Sequence, residues 1–187
     1  MTAITTNNGT FTSTGVNFDN TGGAINSGTG ATSINHTGTV LLGAALTSGT
    51  VNIDATGVTT VAAAGDITAS GVVGFGASKT GLLTTSGNIT TTNDNITFTR
   101  AVTLGAGVAF DTGGGTAGNI LFSAAIATAA NTLTLDAGTA GNITLSAALT
   151  GGGAMTVRDG AVQAYGALTV GSLSIADATT SVTFGGA

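Results

Sequence analysis

The sequence predicts an all-β chain folded as a parallel β-helix (β-solenoid) of about seven coils, each of roughly 23–29 residues. Three observations lead to this prediction: a unit of two short strands that is written several times, apolar residues that alternate with Thr or Ser, and a composition that disfavours helices. Such a unit buries its apolar side chains only by stacking on neighbouring copies.

The repeat is clearest between residues 119 and 149. Residues 119–126 read Asn-Ile-Leu-Phe-Ser-Ala-Ala-Ile and residues 142–149 read Asn-Ile-Thr-Leu-Ser-Ala-Ala-Leu, each preceded by Ala-Gly. A break rich in Gly, Ala and Thr follows each copy, and then a second short apolar run at residues 133–136 or 155–158. Two short strands recurring with a period in the twenties are typical of solenoid coils.

Looser copies extend the repeat on both sides, and the first apolar residue of each copy serves as its marker. The spacing between successive markers is not constant, which indicates coils whose turns differ in length while the stacked strands stay in register. We therefore predict one β-solenoid domain over residues 1–187, with regular coils over 39–187 and irregular N-terminal coils or an end segment over 1–38. The markers are Val40, Ile67, Ile96, Ile120, Ile143 and Leu168.

Alternation within the units predicts which side chains form the core. In runs such as Ile143-Thr-Leu145, apolar residues occupy every second position, so one face of the strand points inward and the other faces water. The residues expected to point inward and stack on the adjacent coil are Ile120, Phe122, Ile143, Leu145, Met155, Val157, Leu168 and Val170.

Composition excludes a helical or a disordered chain. Glu is absent and there are one Lys, two Arg and one Gln, although these residues normally fill exposed helix surfaces. Leu, Ile, Val and Phe together make 44 of 187 residues, above the roughly 20% below which chains fail to collapse. An antiparallel sandwich would carry Asn-Gly or Asp-Gly hairpin loops, but only Asn8-Gly9 and Asp159-Gly160 occur.

The charged residues exclude nucleic acid as a partner. Eight Asp stand against three bases, and Lys79, Arg100 and Arg158 are too few and too scattered to neutralise a run of phosphates. No apolar run approaches the roughly 18 residues of a membrane-spanning helix. The first residues also lack the basic and apolar regions of a signal peptide, so export would depend on a segment outside this sequence.

Asp followed by Gly or by a short Gly-containing turn recurs at strand ends. Asp side chains accept hydrogen bonds from the backbone of tight turns, and Gly adopts the positive φ that these turns need. We interpret these residues as corner-forming. A calcium ladder is the alternative, but it needs repeated Gly-Gly-x-Gly-x-Asp, and the Gly runs here are not followed by that Asp. The positions are Asp19, Asp54, Asp111, Asp136 and Asp159.

The sequence predicts no enzyme, and neither catalytic residues, cofactor nor metal site is assigned. A hydrolytic triad needs a nucleophile, a base and an orienting group; Cys is absent, and the one imidazole, His36, lies in a polar stretch where we expect a solvated loop. Two Asp could in principle cleave a polysaccharide, but sugar sites usually add aromatic and basic groups, and this chain has one Tyr and no Trp.

The units Gly-Asn-Ile-Thr-Leu-Ser-Ala-Ala-Leu and Gly-Ala-Leu-Thr-Val-Gly-Ser-Leu, with Thr-Leu-Asp-Ala-Gly between them, resemble the repeats of filamentous-haemagglutinin-type bacterial surface adhesins and related autotransporters. The resemblance covers about residues 39–184. It implies a right-handed parallel β-helix at the cell surface or in the extracellular space, acting as a stalk or adhesive fibre segment towards a host receptor, surface or glycan. The chain departs from the family in lacking its secretion-targeting segment.

Two further expectations concern function. The run Ser181-Val-Thr-Phe184 is uncharged and alternating, so we expect self-association end to end through the coil end that carries Val182 and Phe184. The alternative is an ice-binding Thr-rich solenoid, suggested by Thr-x-Thr at Thr10/Thr12, Thr97/Thr99 and Thr132/Thr134. A polysaccharide-binding or -cleaving β-helix is a further alternative.

Overall fold

A computed structural model describes residues 2–76, 78–79, 81–113, 115 and 118–185, and over these residues it contains strands and no helix. In chain order the strands are β1 (Ile4–Thr5), β2 (Phe11–Gly15), β3 (Phe18–Asp19), β4 (Ile25–Asn26), β5 (Thr32–His36), β6 (Val40–Leu42), β7 (Leu46–Ser48), β8 (Val51–Ala55), β9 (Thr59–Val61), β10 (Ile67–Ala69), β11 (Val73–Phe75), β12 (Leu83–Thr85), β13 (Ile89–Thr90), β14 (Ile96–Phe98), β15 (Val102–Leu104), β16 (Val108–Asp111), β17 (Ile120–Phe122), β18 (Ile126–Ala127), β19 (Leu133–Asp136), β20 (Asn142–Leu145), β21 (Leu149–Thr150), β22 (Ala154–Asp159), β23 (Val162–Tyr165), β24 (Ser172–Ile175) and β25 (Ser181–Phe184).

Three parallel sheets run along the molecule. Sheet 1 contains β1, β4, β7, β10, β13, β16, β19, β22 and β24, and sheet 2 contains β2, β5, β8, β11, β14, β17, β20, β23 and β25. Sheet 3 contains β3, β6, β9, β12, β15, β18 and β21, and an isolated parallel bridge between Leu149 and Leu168 extends it. Each turn of the chain therefore adds one strand to each sheet. The predicted parallel β-solenoid is confirmed.

The structure has about eight turns, where about seven were predicted. The difference comes from the N-terminal half, in which Ile4 pairs with Ile25, Ile25 with Leu46 and Leu46 with Ile67. These turns are equal in length and shorter than the predicted repeat. The segment 2–38 contains β1 to β5, which pair in the same sheets as the later strands.

The assignment of equivalent residues is partly wrong. Ile96, Ile120 and Ile143 are direct partners in sheet 2, as predicted. Val40 lies in sheet 3 and Ile67 in sheet 1. The step from Val40 to Ile67 and the step from Ile67 to Ile96 therefore each span one turn plus one extra strand. Leu168 also lies in the extension of sheet 3. The predicted unit held two strands, whereas the turn holds three, and the markers therefore moved from one sheet to the next.

The core is a set of rows in which each inward side chain contacts its counterpart one turn away. Phe98 stacks on Phe75 with ring centroids 5.4 Å apart and on Phe122 with centroids 4.4 Å apart. Of the eight predicted core residues, six are fully buried, and Leu168 and Val170 are partly buried against the core. The six are Ile120, Phe122, Ile143, Leu145, Met155 and Val157.

Glycine is required where corners of successive turns touch. A Cβ added at Gly141 would lie 2.0 Å from the carbonyl oxygen of Gly118 and 2.1 Å from that of Ala137. Side chains cannot occupy that space without moving backbone, which accounts for glycine at this corner.

Leu145→Asp should disrupt the row that continues from Phe122. The change places an unpaired carboxylate among fully buried neighbours, so we expect the free energy of unfolding to fall by several kcal/mol. Thr144→Asp is the matched control, because Thr144 is only half buried on the other face of the same strand; it should change the free energy by no more than about 0.5 kcal/mol. Urea denaturation measures both, and equal effects would contradict the inward row.

Candidate functional site

The corner role of three aspartates is confirmed. The carboxylate of Asp19 accepts a hydrogen bond from the backbone N–H of Thr21 (2.7 Å), and the side-chain and backbone hydrogen bonds from Thr21 hold the pKa of Asp19 below its usual value. In the same way Asp111 accepts from the N–H of Gly113 (2.6 Å) and Asp136 from that of Gly138 (3.1 Å). These bonds close the turns in which the strands end.

Sheet 1 aligns three of the aspartates in one row. Asp111 pairs with Asp136, and Asp136 pairs with Asp159 across a register shift. One carboxylate oxygen of Asp159 is buried without a hydrogen-bond partner in the described chain. Among the described residues, no group of three or more His, Cys, Asp or Glu is placed to hold a metal ion.

Asp54 departs from the predicted corner role. It lies beside Ile53 in β8 on the outward side, yet only 2% of it is exposed. Residues of the corner after β11, one turn later, cover it. The N–H and the hydroxyl of Ser78 donate to Asp54 Oδ2, the N–H at 3.0 Å, and the N–H of Lys79 donates to Asp54 Oδ1 at 2.9 Å. The corner bonds of Asp54 therefore come from one turn further along the chain.

Arg100 supplies the positive charge opposite Asp54. Its Nη2 donates to Asp54 Oδ1 at 3.0 Å, its Nη1 donates to Thr59 Oγ1 at 3.1 Å, and 3% of the residue is exposed. Burial lowers the pKa of Arg100, and the Asp54 carboxylate opposes that effect. The guanidinium Nε has no partner among the described residues, so the contacts of the two Nη atoms with Asp54, Thr59 and the Lys79 carbonyl compensate for the buried charge.

Lys79 extends this cluster to a fourth turn. Its ammonium group donates to the backbone carbonyl of His36 (2.9 Å) and to the side-chain oxygen of Asn35. We call Asp54, Ser78, Lys79 and Arg100 the corner clamp. Its members and contacts come from β5, from β8 and β9, from the corner after β11 and from the corner after β14, which are four successive turns of the chain.

One long corner makes the clamp possible. Between β11 and β12 the chain takes residues 76–82, whereas every other corner from sheet 2 to sheet 3 takes two or three residues. The extra length lets Ser78 and Lys79 fold back over the outer face of sheet 2. Insertions are tolerated at such corners because the buried strands keep their register.

The expectation of a solvated His36 is wrong. His36 ends β5 facing inward, with 3% of it exposed, and it pairs with Gly15 on one side and Ala55 on the other. Its ring lies 5.7 Å from that of Phe18, and its Nε2 lies 3.0 Å from the Ser13 hydroxyl. The imidazole fills the space that the small residues leave in its row.

The clamp was missed at the level of sequence because the bases look scattered there. One signal was present. At the corner after the first strand of the repeat, two copies read Ser-Ala-Ala before the next strand, whereas the copy ending in Phe98 reads Thr-Arg-Ala. Arg100 thus replaces a small corner residue.

Comparison with known proteins returned no matching family model, no matching curated protein and no matching solved structure. The fold therefore rests on the chain's own strand pairing. No pocket is found within the described parts of the chain. None of the described segments forms a helix of the length and apolar character needed to cross a membrane.

Removal of Arg100 should leave the buried Asp54 carboxylate without its counter-charge. We expect Arg100→Met to lower the free energy of unfolding by about 3–5 kcal/mol. The exposed Arg158 provides the control, and Arg158→Met should cost no more than about 0.5 kcal/mol. Urea denaturation measures both variants, and similar losses in the two would contradict a stabilising role for the clamp.

The double variant Asp54→Asn with Arg100→Met tests the pairing itself. Because it removes both charges, it should lose less stability than the two single variants together, with a coupling of roughly 0.5–3 kcal/mol. Additive losses in urea denaturation would contradict a direct ion pair.

Proposed function

We propose that this chain is a structural segment of an extracellular or cell-surface fibre, a stalk or adhesive rod of the kind that its repeats resemble. The observation that supports the proposal is the unbroken pairing of nine strands in each of two sheets and seven in the third. A solenoid of this kind acts through its length and its extended surface rather than through one enclosed site. Receptor or glycan binding would then use the outward rows.

Self-association through the coil ends is the second part of the proposal. Among the described residues β24 pairs only with β22, and β25 pairs only with β23. Val182 and Phe184 continue the inward rows of Gln163 and Tyr165, but 37% and 55% of them are exposed. An apolar strand with an unpaired edge can accept another strand.

The two ends of the described chain match in register. Ile175 and Ile4 belong to the same row of sheet 1, which runs from β1 to β24. The strands β1, β2, β24 and β25 contain no charged residue. A second copy that placed its β1 against β24 would therefore continue the row. Such a head-to-tail contact joins unlike surfaces and gives filaments when it does not close.

The three Thr-x-Thr pairs do not form the single array that the ice-binding alternative needs. Thr12 and Thr97 lie on sheet 2, where Asn52 and Gly74 stand between them in the same row, and Thr134 lies on sheet 1. A flat array would need the Thr-x-Thr pair at one position in every turn. We therefore propose the structural role alone.

Lys at Val182 and Phe184 should abolish the end-to-end contact. Both side chains would bring charge into the junction, so the double variant should sediment as a monomer at concentrations where the unmodified protein forms larger species. Lys at Ser181 and Thr183 is the matched control: it adds the same charge to the alternate positions of the same strand and should leave association largely intact. Electron micrographs should show filaments for the unmodified protein and for this control, and short separate rods for the variant at Val182 and Phe184.

A monomeric unmodified protein at high concentration would contradict the self-association. If both Lys variants lose association, the added charge alone prevents it, and the inward rows are not what joins the copies. Compact particles in place of rods would contradict the fibre proposal as a whole.

A further inference from the structure

His36 is a buried imidazole with one nitrogen that has no partner. Its Nε2 lies beside the Ser13 hydroxyl, whereas its Nδ1 is buried and lacks a hydrogen-bond partner among the described residues. The neutral ring tolerates this arrangement because one ring nitrogen can remain an acceptor. The protonated ring fits less well, since both nitrogens then carry hydrogens that need acceptors.

The charges around His36 also disfavour a second proton. The neighbouring strands β2 and β3 contribute Ser13, Gly15 and Phe18 to its surroundings, and the one acid among these two strands, Asp19, is exposed and bonded to Thr21. The long corner contributes the Lys79 ammonium, which bonds the His36 carbonyl.

The carboxylate on the adjacent strand β8 is already engaged. Asp54 of β8 lies one residue before Ala55, the partner of His36, but its oxygens accept from Ser78, Lys79 and Arg100. Burial and the Lys79 charge lower the pKa of His36, and together they outweigh a backbone hydrogen bond with Val16 that favours the protonated ring.

We propose that His36 is an acid-sensitive lock on the N-terminal turns of the solenoid: its protonation loosens the turns formed by β2 to β6 while the distant turns remain folded. The imidazolium would have to leave the row between Gly15 and Ala55 to reach water. That movement removes the ring from Phe18 and from the Ser13 hydroxyl, so it weakens the contacts of β5 with β2 and β3.

The sign of the pH dependence follows from the direction of the shift. A histidine whose pKa is lower in the folded than in the unfolded state stabilises the fold above the unfolded value of about 6.5. That stability is lost as the pH falls below about 6.5 towards the folded-state pKa. Once the pH is below the folded-state pKa, local opening should be about tenfold more frequent for each unit by which the folded pKa lies below the unfolded one.

The opening stays local because each turn of a solenoid contacts only its neighbours. Phe98 and Phe122 stack between Phe75 and Leu145 in their row, and none of these side chains titrates. The turns around them are therefore not expected to respond to acid. The frequency of local opening should therefore depend on pH in the N-terminal turns and not in the turns around Phe98 and Phe122.

The first measurement is the proton resonance of the imidazole, which is unambiguous because the chain has one histidine. Titration by NMR should give a pKa below about 6.5. The second is amide hydrogen exchange between about pH 7.5 and pH 5, the range in which histidine changes charge, corrected for the intrinsic pH dependence of exchange. Exchange should accelerate in β5 and β6 as the pH falls, approaching the factor given above, and stay unchanged in β17 and β20.

His36→Phe is the variant that isolates the imidazole, because it keeps an aromatic ring beside Phe18 and cannot take up a proton. It should remove the acid acceleration in β5 and β6. If this variant does not fold, His36→Gln serves the same purpose, since its amide is neutral and can reach the Ser13 hydroxyl. An imidazole pKa at or above the ordinary value, or acid acceleration that persists in the variant, would overturn the proposal.

Discussion

Everything in this molecule depends on the register between successive turns. Each inward side chain contacts the equivalent side chain one turn away, as in the stack of Phe75, Phe98 and Phe122, and the backbone pairing of three parallel sheets keeps these partners aligned. A shift by one residue would turn the whole row outward. The corners can therefore vary in length, whereas the paired strands keep their register apart from the shift at Asp136.

The corner clamp is the one place among the described residues where an ion pair supplements the rows. Burial removes the hydration of Arg100 and Asp54, which costs free energy. Their contact offsets that cost only while both residues are present. Beside the clamp, the inward His36 contacts the same long corner through Lys79. Towards the C-terminal end, the buried side chains of Gln163 and Tyr165 make a second polar contact, in which the Tyr165 hydroxyl donates to Gln163 Oε1 at 2.7 Å.

The sequence predicts the features of the structure that repeat from turn to turn, and it does not predict contacts that are made once. Alternation and repetition predicted the solenoid and the stacking of Ile96, Ile120 and Ile143, because those signals are local and recur. The equivalence of the earlier copies failed because a third short strand in each turn has no distinct pattern of its own. Asp54 and Arg100 are 46 residues apart in sequence, and only the fold brings them together. A contact that is made once leaves no periodic signal in the sequence.

Nitroxide labels at Thr12→Cys and Thr144→Cys test the central claim most directly, because the chain has no other cysteine. Both residues belong to one outward row of sheet 2, in which the pairing runs through Ser33, Asn52, Gly74, Thr97 and Leu121. Six steps of about 4.8 Å place their backbones about 29 Å apart. A dipolar distance distribution centred near that value is the expected result, and a distribution that is broad or centred well below about 20 Å would contradict the stacked register.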